Sequence, residues 1–77
     1  MTREELIEKF KIAKQEKLAV AIELTVPGSE YSEIIITRYE NLDYKLNYYL
    51  EAYNDSLELE RCKDIKILSV KTVDYRL

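Results

Sequence analysis

Histidine and tryptophan are absent from these 77 residues, and glycine, proline, cysteine and methionine occur once each. Each scarcity closes off a class of protein. Without histidine there is no imidazole for acid–base work or metal ligation near neutral pH. The single cysteine, Cys62, can form no intramolecular disulfide and no cysteine-based metal cluster. It also lacks a histidine to act as the usual base of a thiol nucleophile. One glycine is too few for a glycine-rich phosphate loop. Low glycine and proline, with 47% hydrophobic residues, mark a regular folded domain rather than a disordered tail. No apolar run approaches the ~18 residues of a membrane-spanning helix, and no signal-peptide pattern opens the sequence. The expectation is one soluble domain acting in the reducing cytoplasm where it is made.

The formal net charge of −3 argues against a general DNA or RNA binder, because counterion release needs a basic surface. The charge is uneven, however. Residues 1–27 carry five acids and five bases, and residues 28–60 carry eight acids and two bases. Residues 61–77 carry five bases (Arg61, Lys63, Lys66, Lys71, Arg76) and two acids. This basic stretch reads either as solubilising surface or as a strand pair facing an anionic ligand or an acidic patch on a neighbouring subunit. A chain this short buries a limited core, so oligomerisation would add substantially to its stability.

Along the chain, Thr2 and Glu5 form a capping box that starts a helix over residues 3–16. Leu6, Phe10 and Ala13 make its inner line, Ile7 its margin, and Ile12 points away. Residues 18–26 alternate: Leu18, Val20, Ile22, Leu24 and Val26 fall on one side and Ala19, Ala21, Glu23 and Thr25 on the other, the pattern of a half-buried strand. Pro27, Gly28 and Ser29 signal a turn, and residues 31–39 return as a second strand. Ile34, Ile35 and Ile36 are consecutive, so at least one must leave the core face for the second helix or another subunit to cover.

Residues 41–54 read as an amphipathic helix with Asn41 as N-cap, ended by Asn54, Asp55 and Ser56, which tolerate left-handed and turn geometry. Leu42, Leu46, Tyr49, Leu50 and Tyr53 form the core stripe. Tyr44 and Tyr48, one turn apart, occupy a second face. Residues 57–60 alternate as a short strand whose Glu58 and Glu60 suit an exposed edge. Residues 61–64 read as a polar loop and residues 65–73 as a fourth strand with a bulge near Ile67 and Leu68, or else covered on both faces. The expected architecture is α+β: a single small domain, α-β-β-α-β-β, with two helices on an antiparallel sheet.

The search for chemistry ends at binding rather than catalysis. The serines have no evident base unless a lysine such as Lys71 serves, and no spacing matches a zinc or calcium site, so no catalytic residue, metal ligand or cofactor is expected. The remaining signal is the tyrosine edge. Tyr44 and Tyr48 read as a solvated or strand-covered flank, as a homomeric or heteromeric interface, or as a stacking surface for a nucleobase. Arg61, Lys63 and Lys66 are the first candidates to neutralise the phosphates of such a ligand.

The run Asn-Leu-Asp-Tyr-Lys-Leu-Asn-Tyr-Tyr-Leu-Glu-Ala-Tyr-Asn at residues 41–54, followed by Leu57-Glu-Leu59 and Ile65-Lys-Ile67, resembles small proteins encoded by phages and prophages of low-GC Gram-positive bacteria. The resemblance covers residues 40–70 and carries no catalytic signature. It implies a short accessory product in the host cytoplasm: a homo-oligomeric viral protein that antagonises host defence by sequestering a nucleotide signal or blocking a defence protein. The alternative is a structural or regulatory phage interaction module with no small ligand.

Overall fold

The computed structural model describes residues 1–74. Its elements are helix α1 (Arg3–Glu16), strands β1 (Ala19–Thr25) and β2 (Ser32–Thr37), a 3-10 turn (Tyr39–Asn41), helix α2 (Leu42–Ala52), and strands β3 (Glu58–Leu59) and β4 (Cys62–Val73). This is the expected α+β class and element order. The strands form one antiparallel sheet in the order β2-β1-β4-β3, with both helices on one face. Residues 75–77, expected as a tail, lie outside the described residues.

Helix α1 begins as its sequence dictates. Thr2 is extended, and its hydroxyl accepts from the Glu5 amide at 3.1 Å, satisfying one otherwise orphaned donor. Leu6, Phe10 and Ala13 are buried. The helix closes on Lys17 in the left-handed conformation (φ 57°), with the Lys17 amide donating to the Ala13 carbonyl.

Two side chains hold the helices antiparallel. Arg3, in the first turn of α1, donates to the carbonyls of Leu50 (2.7 Å) and Tyr53 (2.9 Å) at the end of α2. Those carbonyls have no partner within the helix, so the guanidinium serves as their cap. At the opposite end Lys14 bonds Asp43 at 2.8 Å, placing a cation near the end of α1 and an anion in the first turn of α2.

In β1, Val20, Ile22 and Leu24 are buried under the helices. A type II turn follows. Pro27 takes its second position, Gly28 its third with φ +76°, and the Ser29 amide donates to the Val26 carbonyl at 3.1 Å. Strand β2 is shorter than the predicted residues 31–39, because Tyr39–Asn41 wind into the 3-10 turn. Ile35 packs against the core, whereas Ile34 and Ile36 lie on the opposite face, 64% and 44% exposed.

Three local expectations need correction. Asn41 stands at the N-cap position of α2 as expected but makes no side-chain cap; the helix is entered through the 3-10 turn, which leaves Asn41 (φ −108°, ψ 6°) out of the extended conformation that capping by its side chain favours. The left-handed residue after α2 is not Asn54, Asp55 or Ser56 but Leu57 (φ 61°), fully buried. The Asn54 side chain instead accepts from the Ser56 and Glu58 amides at 2.9 and 3.1 Å and shapes the connection around Leu57. The predicted loop at residues 61–64 is also largely strand. Glu60 and Arg61 make the turn between the paired Leu59 and Cys62, and Cys62 already belongs to β4.

The ladder next pairs Glu58 with Lys66, so residues 63–65 bulge from β4. The Thr25 hydroxyl braces that bulge, donating to the Asp64 carbonyl (2.7 Å) and accepting from the Lys66 amide (2.9 Å). The second irregularity falls where the sequence placed it. Glu23 faces Ser69 and Leu24 faces Ile67, leaving Leu68 over and allowing Ile67 and Val70 to share the core face despite their odd spacing.

Candidate functional site at the tyrosine edge

Helix α2 turns Tyr49 to a different face from Tyr44 and Tyr48 because each residue advances 100°; the helix ends at Ala52 rather than at residue 54, and Tyr53 follows it in extended conformation, paired with Leu59. Tyr49 and Tyr53 are buried, as their stripe predicts. Tyr44 is 74% exposed and Tyr48 39%. Tyr48 is held from below, with its ring edge-on to Tyr49 (5.3 Å between centroids) and to Tyr53 (6.3 Å). The Lys45 ammonium sits 5.5 Å from its ring centre.

The β3–β4 turn comes up beside this ring. Tyr48, Glu51, Ala52, Leu59, Glu60 and Arg61 line a shallow depression of about 280 Å³. Tyr48 and Arg61, from two segments singled out in the sequence, thus share one surface. Tyr44 does not line it. Lys63 is engaged by Glu60 at 3.7 Å on the adjoining bulge. Lys66 lies in a different depression, with Met1, Thr2, Arg3, Glu4, Asp55 and Ser56. Of the three bases named as phosphate partners, Arg61 and Lys63 therefore adjoin one another at this depression and Lys66 lies apart. Arg61, Glu51 and Glu60 line the depression, with Lys45 against the Tyr48 ring and Lys63 paired to Glu60, a mixed-charge rim of the kind that borders protein interfaces.

Ala52, Leu59, Glu51 and Glu60 were not singled out beforehand as lining this surface. Glu51 and Ala52 follow Tyr48 at i+3 and i+4, which was legible. Leu59 and Glu60 arrive only through the pairing of Tyr53 with Leu59 and the Ala52 carbonyl's acceptance of the Glu60 amide at 2.9 Å.

Electrostatics around the cluster follow burial. Tyr49 has its phenol pushed up to about 12, by burial first and by its neighbours Tyr53 and Tyr48 second. Tyr53 is raised for the same first reason. A phenol that keeps its proton longer in the folded than in the unfolded chain stabilises the fold fully below pH 10, and loses that contribution as pH rises towards 12. Denaturation midpoints should therefore fall across that window, by up to about 2 kcal/mol after allowance for solvent screening. Tyr49→Phe should flatten the profile; an unchanged slope would refute the assignment.

On the opposite face of the sheet, Glu23 accepts hydrogen bonds from the hydroxyls of Ser32 and Ser69, which hold its carboxyl below the usual carboxylate range. Among the described residues no group of three or more potential ligands is arranged to hold a metal ion, and no helix is long and apolar enough to cross a membrane. Comparison with known protein families, with curated proteins and with solved structures returns no match.

Proposed function

We propose that this chain is a non-enzymatic, phage-type binding protein that antagonises bacterial host defence in the host cytoplasm by occluding a defence protein. It acts as a homo-oligomer and engages its target through the Tyr48–Arg61 surface. The observation that carries the reading is the depression itself: an aromatic ring with Ala52 and Leu59, bordered by Arg61, Glu51 and Glu60. Tyrosine and arginine are the residues around which binding energy concentrates in protein interfaces, and apolar contact within a charged rim is the usual anatomy. Sequestration of a nucleotide signal is the second reading, favoured by the partly exposed ring of Tyr48 beside Arg61 and weakened by the pairing of Lys63 to Glu60 and the separate position of Lys66. A structural or regulatory phage module would use the same surface on a different partner.

The test is native mass spectrometry of the protein purified from a bacterial host, with Tyr48→Ala and Arg61→Ala alongside. A co-purifying protein lost at least tenfold in both variants, with circular dichroism unchanged, is the expected result, corresponding to about 1.4 kcal/mol or more at a central contact. Added mass in the nucleotide range would transfer the reading to sequestration. Variants that retain the wild-type partner in full would refute this surface as the site.

A further inference from the structure

The two edges of the sheet are built differently. The β3 edge is two residues long, carries Glu58, and adjoins the bulge at residues 63–65. These are the devices by which an edge strand avoids pairing with another chain. The β2 edge is neither short nor bulged, and its one charged residue is Glu33. It runs six residues in unbroken register with β1, from Val20 opposite Thr37 to Thr25 opposite Ser32, and contains three isoleucines, no lysine and no proline. Alternate peptide groups of such a strand point away from β1 and are available to a further strand.

We infer that β2 is a homodimer interface in which two copies of this strand pair antiparallel about a twofold axis at Ile35. This names the contact behind the homo-oligomer proposed above and rests on that part of the reading alone. A twofold axis perpendicular to the sheet keeps each face on its own side, so only residues of equal parity can stand opposite one another. Centring on Ile34 sets the Glu33 carboxylate against Ile35, which packs on the core. Centring on Ile36 sets Glu33 against Tyr39, beyond the end of the strand.

Centring on Ile35 leaves neither conflict. Ile34 of each copy meets Ile36 of the other on the open face, making an apolar seam of four isoleucines from side chains that are 64% and 44% exposed in the single chain. On the helix-bearing face Glu33 stands opposite Thr37. Thr37 is only 3% exposed, and its hydroxyl has no hydrogen-bond partner. A buried hydroxyl left unpaired is costly, and a turn of the Thr37 side chain toward the edge would bring it to the facing carboxylate, twice by symmetry. The Tyr48–Arg61 depressions, beside β3 at the far edge of each sheet, would then lie at opposite ends of an eight-stranded sheet and bind two target molecules independently.

Two measurements test this pairing. Light scattering at roughly 100 μM, above the micromolar range of a weak interface, should give twice the 9.2 kDa chain mass. Ile36→Lys should return it to the monomer with circular dichroism unchanged. In a Cys62→Ser background, an equimolar mixture of Ile34→Cys and Ile36→Cys chains should form the mixed disulfide well in excess of both self-disulfides together, because those positions are directly opposite only in the Ile35-centred register. A monomeric wild type, an Ile36→Lys dimer, or a mixed disulfide no more abundant than the two self-disulfides together would each overturn the proposal. None of these results alters the test of the Tyr48–Arg61 surface, which reads partner loss rather than oligomeric state.

Discussion

Replacing Phe10 by alanine is expected to remove about half of the stability of this domain. Phe10 is buried between the helices and the sheet, its ring edge-on to Tyr49 at 6.2 Å and 61°. Deleting a buried aromatic side chain costs about 3–5 kcal/mol, through lost transfer energy and the cavity left behind. A chain of 77 residues has only roughly 4–12 kcal/mol in total. The urea midpoint followed by circular dichroism should fall accordingly, while Phe10→Leu should cost less than about 1.5 kcal/mol. If Phe10→Ala shifted the midpoint no more than a substitution at the part-exposed Ile7, α1 would not be seated on this core.

The second large effect is at Leu57, where two penalties pull apart. The side chain is fully buried, so Leu57→Ala should cost about 2–5 kcal/mol. The backbone, however, is left-handed at φ 61°, where any Cβ meets the following carbonyl at a cost of roughly 1–2 kcal/mol. Glycine removes that cost along with the side chain. Elsewhere in a regular element glycine is about 1 kcal/mol worse than alanine; here the order should reverse, with Leu57→Gly the more stable of the two by denaturant unfolding. A glycine variant weaker than the alanine variant would show that the left-handed turn is not held in solution.

Leu57 also marks where sequence reasoning stops. Asn54, Asp55 and Ser56 have the chemistry for a left-handed turn, yet the chain uses a leucine, because the position that must turn is also the one that drops into the core. Its amide donates to the Asn54 carbonyl and its carbonyl accepts from the Ile67 amide, both at 2.9 Å. Tertiary burial and two backbone bonds override local preference at that residue. The turn at Glu60 and Arg61 follows the same logic. Residues 61–64 are polar enough to read as a loop; Cys62 nevertheless pairs with Leu59 across a tight turn, and the brace on Asp64 and Lys66 comes from Thr25 in β1, far back in the chain, where no local pattern announces it.

The sequence by itself determined what depends on phase within one element. The capping hydroxyl of Thr2, the Leu6–Phe10–Ala13 line, the alternation of β1, the proline–glycine turn and the two faces of α2 all follow from periods of 3.6 and 2 and from local turn chemistry. Only the tertiary structure decided how those elements stand to one another. It placed β4 between β1 and β3 and left β2 as the long edge. It turned Ile34 and Ile36 outward, brought Arg61 to Tyr48, and carried Lys66 to a separate surface. The physical reason is that a side chain's direction within a helix or strand is fixed by its immediate neighbours. Strand order and register are fixed by the summed packing of residues dozens of positions apart, a sum that no single stretch of the chain contains.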